Sequence, residues 1–146
     1  MTLFSVFRVK VGMPVKLGDD GFGEIRIVPI LGGTVAGPGL TGTILPGGAD
    51  EQRIRADGLT RIHARYVIEA TDGALIRVDS QGLRHAPPEV MVALMHGEKV
   101  DPALVYFRTV IRFETAAPAH DALNRALFRS IGERQPDAVV LHLSAL

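Results

Sequence analysis

Asp57-Gly58-Leu59-Thr60-Arg61-Ile62-His63-Ala64-Arg65-Tyr66-Val67-Ile68-Glu69-Ala70-Thr71-Asp72-Gly73 is the most informative stretch of the chain. Asp-Gly is a hairpin dipeptide, because glycine takes positive φ freely and aspartate tolerates it. Two such turns bracket a strand over Leu59–Ala70 and imply a meander with Glu51–Ala56 before it and Ala74–Asp79 after it. Ser80-Gln81-Gly82 reads as a further turn. Within the central strand Ile62, Ala64, Tyr66 and Ile68 share one face, and Arg61, His63, Arg65, Val67 and Glu69 share the other.

The pattern extends in both directions. Phe7, Val9 and Val11 alternate with Arg8 and Lys10, and Glu24–Ile30 reads as a strand with Ile25 and Ile27 on one face. Pro29 suggests an edge or a bulge. Residues 31–49 are rich in glycine but keep Val35, Leu40, Ile44 and Leu45, which points to bent strands and close backbone approaches instead of a linker. Pro87-Pro88-Glu89 opens a helix that sets Met91, Leu94 and Met95 on one side and stops at Gly97. Leu104–Phe113, Leu127–Ile131 and Ala138–Leu143 read as strands, with one or two helical turns from Pro118 to Asn124. So many short strands must close or stack to bury their edges. The expected fold is one mostly β domain over residues 1–146, an antiparallel β-barrel with one or two short helices.

Composition excludes several function classes. The 146 residues hold 16 Lys+Arg against 16 Asp+Glu and no cysteine. Zero net charge argues against nucleic acid or an anionic membrane as partner, and the missing thiols remove disulfides, thiolate metal sites and a cysteine nucleophile. No targeting signal or membrane-spanning run is evident, so a cytoplasmic protein is expected. Gly37-Pro38-Gly39-Leu40-Thr41-Gly42 fits G-x-G-x-x-G, but no helix follows to receive a pyrophosphate, and Asp57 already serves a turn. The five histidines have no zinc spacing, and there is no nucleophile elbow. No metal and no cofactor are expected.

Chemistry is sought on the polar strand face. Either it meets solvent, as in most antiparallel sheets, or it lines a barrel cavity. In the second case Arg65, and Arg108 flanked by Tyr106, Phe107, Val110 and Ile111, need carboxylate partners such as Asp50, Glu69 or Glu114. Asp50 follows Gly47-Gly48-Ala49, where the backbone can bend a carboxylate inward. His63 and His120 are further pocket candidates.

Gly32-Gly33-Thr34-Val35, Gly37-Pro38, Leu45-Pro46-Gly47-Gly48-Ala49-Asp50, Arg55-Ala56-Asp57-Gly58, Ala64-Arg65-Tyr66, Thr71-Asp72-Gly73-Ala74, Tyr106-Phe107-Arg108-Thr109, Phe113-Glu114-Thr115 and Leu123-Asn124-Arg125 resemble, in order, domain-of-unknown-function family 3237 (DUF 3237). The resemblance implies a small, mostly antiparallel β-barrel of the cytoplasm, often oligomeric and without assigned activity. It also implies a shared cavity formed by Asp50, Arg65, Arg108 and Asn124, with Glu114 nearby. The chain departs from the family pattern at Glu51, where the family often has Trp, and at His120-Asp121-Ala122-Leu123-Asn124, where it tends to have Tyr-x-Trp-Leu-Asn. If those aromatics line the cavity, the pocket here is wider and more polar, and His120 becomes a titrating group.

Two functions follow. One is a cofactor-independent enzyme doing acid–base chemistry of isomerase, cyclase, hydratase/lyase or hydrolase type on a small polar or anionic organic substrate. Asp50 and His120 would be catalytic, with Arg65, Arg108, Glu114, Asn124 and His63 binding substrate. The alternative is a non-catalytic small-molecule binding or carrier protein. A homo-oligomer is expected, sharing outer strand faces and the Met91–Leu94–Met95 helix between copies.

Overall fold

Alternation of apolar residues at period two builds ten antiparallel strands, and the computed structural model describes residues 2–146 of the chain. The strands are β1 (Ser5–Val11), β2 (Val15–Asp19), β3 (Glu24–Ala36), β4 (Gly42–Ile44), β5 (Ala49–Ile54), β6 (Thr60–Ala70), β7 (Leu75–His85), β8 (Tyr106–Glu114), β9 (Leu127–Arg134) and β10 (Ala138–Ala145). One α-helix, α1 (Pro88–Met95), and a kinked 3-10 segment, Pro118–Arg125, stand where helical turns were expected. A shorter 3-10 turn, Pro102–Leu104, takes the residues before β8.

Eight strands close the barrel. β1 pairs with β10 on one edge and with β3 on the other, which joins the two ends of the sheet. β4 and β5 both sit between β3 and β6, so the glycine-rich segment is bent strand, as its apolar residues suggested. Gly33, at φ +149°, lies where a Cβ would stand 2.0 Å from the Arg8 carbonyl oxygen, so this crossing of β3 under β1 requires glycine.

The lumen holds the core. Ile68, Ile76, Val78, Ile111 and Leu143 have no exposed surface, and Phe7, Phe113 and Phe128 pack ring against ring across it. Burial of this apolar surface is the dominant stabilising term. It also decides which face of β6 points inward: Ile62, Tyr66, Ile68 and Ala70 are buried, while Arg61, Arg65 and Glu69 meet solvent.

Three elements differ from the sequence expectation. Ser80-Gln81-Gly82 is not a turn: β7 runs through it to His85, and Gly82 is there because a Cβ would lie 2.0 Å from the Arg108 carbonyl oxygen on β8. β9 likewise continues through Gly132 to Arg134. β2, unforeseen, forms an exposed hairpin with the first residues of β3. Among the described residues no helix is long and apolar enough to cross a membrane.

Candidate functional site in the barrel lumen

β5 brings the first functional group inside. A Cβ at Gly48 would lie 2.6 Å from the Tyr66 Cβ, so glycine there lets the chain press against β6 as β5 begins. Two residues later Asp50 faces the lumen, opposite Ala64 on β6 and Val28 on β3. The residue is half-buried, but its Oδ1 is buried and has no hydrogen-bond partner. Oδ2 accepts a hydrogen bond of 2.9 Å from the Gln52 side chain. Burial pushes the Asp50 carboxyl above its ordinary range, against the Gln52 hydrogen bond and the charges of Arg84 and Arg134.

Asp50 lines a small internal cavity of about 30 Å³ with Tyr66, Ser80, Thr109 and apolar residues that include Ile62 and Phe107. The Tyr66 hydroxyl is buried and unpartnered. Burial, with the charge of Asp50, pushes it upward too, so it stays a neutral donor. Among the other luminal hydroxyls, Thr109 bonds Ser130, and Ser5 donates to the Leu40 carbonyl at 2.9 Å. The cavity presents one carboxyl oxygen and one phenol oxygen, both fully buried, with nothing bonded to them.

Three arginines sit above this cavity, toward the end of the barrel that carries the β5–β6 turn and α1. Arg26 is opposite Gln52, and Arg84 lies between Thr60 and Phe107 in the sheet. Arg134 pairs with Val139. Arg26 and Arg84 are 8% and 3% exposed, and the Nε of all three arginines is buried without a partner. Among the described residues none of the three forms an ion pair. Burial, reinforced by the charge of Arg134, lowers the Arg84 guanidinium to about 10, and burial with the charge of Arg26 lowers Arg134. The Arg84 guanidinium lies 5.6 Å from the centre of the Phe107 ring, a cation–π contact that compensates part of this cost.

Of the residues singled out in the sequence, only Asp50 reaches the lumen. His63 and Arg65 are on the outer face of β6, where both bond the Asp79 carboxylate, at 3.1 and 3.4 Å. Burial pushes the Asp79 carboxyl up, but hydrogen bonds from Gln81, His63 and Arg65 and the charge of His63 outweigh it and hold the carboxyl low. Arg108 is on the outer face of β8, over the Tyr106 ring at 5.2 Å. Glu114, also outward, is 3.6 Å from Arg112. Asn124 closes the β8–β9 connection through both backbone groups of Thr115, at 2.8 and 2.9 Å. His120 bonds Asp72 at 2.8 Å at the other end of the barrel. For the strand residues the reason is register: turning Arg65 or Arg108 inward would put Tyr66 or Phe107 in water. Glu51 is exposed as well, so neither Glu51 nor His120 widens the cavity.

The family model described as "Protein of unknown function (DUF3237)" matches residues 1–146. The chain belongs to the DUF3237 family. A UPF0311 protein of Rhodopseudomonas palustris (strain TIE-1) is 44% identical over 132 residues, 90% of this chain and 86% of that protein. The crystal structure of a conserved protein of unknown function from Rhodopseudomonas palustris superposes with a TM-score of 0.92 at 39% identity, covering 99% of this chain and 97% of the other. The hydroalkoxylation enzyme phnH of Penicillium herquei is 39% identical over 66 residues, 44% of each chain. DUF3237 thus supplies the barrel and no assigned activity.

Among the described residues no group of three or more His, Asp or Glu side chains stands ready to hold a metal. What the lumen of this chain offers is a carboxyl raised above its ordinary range by burial, a neutral phenol donor and an excess of cations.

Proposed function

We propose that this DUF3237 protein is a cofactor-independent enzyme that moves protons on a small organic substrate bound in the lumen, with Asp50 as the acid–base group. The observation that carries the reading is the Asp50 Oδ1: buried, unpartnered, and facing the same cavity as the unpartnered Tyr66 hydroxyl. A buried carboxyl without a partner costs stability, and such groups concentrate where chemistry needs a raised pKa. Asp50 takes a proton from an oxygen or an acidic carbon, or delivers one, and Tyr66 donates a hydrogen bond to the developing oxyanion.

The named activity of the Penicillium herquei relative supports this reaction class. Hydroalkoxylation adds an O–H across a carbon–carbon double bond: one proton leaves oxygen and one arrives at carbon, with no redox change. A single carboxyl that first donates and then accepts meets that requirement. Isomerisation, cyclisation and addition or elimination of water make the same demand.

The test begins with ligands selected only for binding, by the thermal shift they give the wild-type protein. Each is incubated in D2O with wild-type protein and with Asp50→Asn, and deuterium uptake and product formation are followed by mass spectrometry. Wild-type turnover that disappears in Asp50→Asn, with binding retained, is the expected result. Lumen-binding ligands that react no faster with wild type than with Asp50→Asn would leave the carrier reading in its place.

A further inference from the structure

We infer that Arg26, Arg84 and Arg134 form a clamp for an oxyanion group, carboxylate or phosphoryl, carried by a small organic molecule that enters the lumen at the α1 end of the barrel. The inference rests on the lumen being the substrate site and names the class of substrate it takes.

Three facts converge on it. First, the charge is one-sided: three buried or half-buried guanidinium groups lie near the carboxyl of Asp50, and half-buried Glu24, on the same face of β3 as Arg26, forms no ion pair with them. Like charges gathered in a region of low dielectric repel one another strongly, and a fold keeps such a set where a counter-ion is supplied from outside. Second, the donors are unpaired. Each Nε–H is buried and donates to nothing, and Gln52, 4% exposed, has its carbonyl oxygen free as well. A guanidinium edge presents paired donors that match the two oxygens of a carboxylate or phosphoryl group. Third, the arginines and the acid–base group are stacked in depth. Arg26 and Gln52 stand one inward position above Val28 and Asp50 in the β3–β5 register, and Arg84 stands above Ser80 on β7. An anion held at the arginine level directs its adjoining atoms toward the 30 Å³ cavity at Asp50 and Tyr66, which has room for a group of about one or two heavy atoms.

The opening at this end is shaped by α1. Met91 packs beside the β5–β6 turn, near enough that a Cβ on Gly58 would be 3.4 Å from it. Met91 and Leu94 are the buried residues of the helix.

The clamp is read directly from the Arg Nε–Hε signals in 1H–15N NMR spectra of the full chain, titrated with malonate in one arm and inorganic phosphate in the other, in low-salt Tris. A free Nε–H that gains an oxyanion acceptor moves downfield and saturates. The expected result is saturable movement of the signals that Arg26→Gln, Arg84→Gln and Arg134→Gln each remove, and at least tenfold weaker binding in the Arg84→Gln/Arg134→Gln double variant. The arm that saturates at lower concentration identifies carboxylate or phosphoryl as the preferred group. Nε signals of folded wild type that stay in place to 50 mM of both anions would overturn the clamp, as would undiminished binding in the double variant. Asp50→Asn separates this outcome from the fate of the catalytic reading. Binding without turnover in wild type refutes only the acid–base role, and absence of anion binding refutes only the clamp, since Asp50 can still act on a neutral substrate.

Discussion

Replacing Arg84 by methionine should make the protein more stable. The guanidinium is 3% exposed, and burial together with the charge of Arg134 lowers it well below the ordinary arginine value, to about 10. At about 1.4 kcal/mol for each pKa unit, keeping it charged inside the barrel costs about 3 kcal/mol. The direction follows from linkage. A base whose folded pKa is depressed destabilises the fold at every pH below that value, so the whole cost is present at pH 7 and is relieved only as the pH rises above about 10 toward the ordinary arginine range. Methionine fills similar space along the same path and needs no counter-ion. Against the gain stands the cation–π contact with Phe107, at 5.6 Å, of about 1 kcal/mol.

The net expectation is a stabilisation of about 2 kcal/mol, which for a chain of this size raises Tm by about 4–8 °C. Calorimetry and urea unfolding in a buffer free of carboxylate and phosphate measure it. Added malonate or phosphate should narrow the gap, because the anion stabilises wild type by mass action and the variant less. An Arg84→Met protein less stable than wild type by more than 1 kcal/mol in the anion-free buffer would refute the reasoning, since Arg84 would then be a structural residue whose partners the fold already supplies.

Three further outcomes are expected. Gly48→Ala puts a Cβ 2.5 Å from the Arg65 carbonyl oxygen and 2.6 Å from the Tyr66 Cβ, so it should cost about 2 kcal/mol or more in urea unfolding and displace Asp50; a loss below 0.5 kcal/mol would show that β5 tolerates a shift. Arg65→Ala and Arg108→Ala, at exposed positions on the outer faces, should each change stability by less than about 1 kcal/mol and leave anion binding intact, whereas loss of binding would return these residues to the site. The β2–β3 hairpin leaves Met13, Val15, Leu17 and Phe22 at 85, 57, 56 and 80% exposure, and a bulge between Lys16 and Gly18 disfavours pairing along its free edge. Sedimentation velocity should therefore show a self-associated species held by these side chains and dispersed by Phe22→Asp with Met13→Asp, and a wild type that stays monomeric to 100 μM would rule out the homo-oligomer.

The barrel is legible in the sequence because its determinants are local. Asp57-Gly58 and Asp72-Gly73 fix two hairpins, and alternation in β1, β6 and β8 does the rest. Helix α1 is announced by Pro88 and stopped after its last turn by Gly97, which has φ +75°. Asp50 is legible too, through the glycines that seat β5 against β6. The arginines are not, and the cause is specific. Arg84 has the same parity as Ile76, Val78 and Ser80, and Arg134 the same parity as Phe128, Ser130 and Gly132. Read as a turn residue, Gly82 ends the alternation before Arg84, and a β9 that ends at Ile131 stops short of Arg134. A glycine inside a strand marks close approach of a neighbour as often as it marks a bend. Here Gly132 admits the Phe107 ring, which would stand 2.8 Å from a Cβ. Arg26 is concealed differently. Ile25 and Ile27 flank it and suggest an inward apolar face, yet Val28 and Ile30 share the parity of Arg26 and are the buried pair.

Alternation sorts residues by the average preference of a face, and so it assigns charges to solvent wherever a strand offers a choice. That sorting holds for Arg65 and Arg108, which the cavity reading instead places in the lumen, and it fails for charges placed against the average. Each of those exceptions is a local conflict: a guanidinium in an apolar lumen, a carboxyl oxygen without a donor, a phenol without an acceptor. Foldable sequences avoid such conflicts individually, because each costs stability and favours misfolded alternatives. Five of them in one end of one barrel do not arise from packing needs, since Met at 84 or Phe at 66 would pack as well. They are mutually complementary instead. The cations want an anion, the phenol wants an oxygen, and the carboxyl wants a proton to give or take, so that a single small acid resolves all of them together.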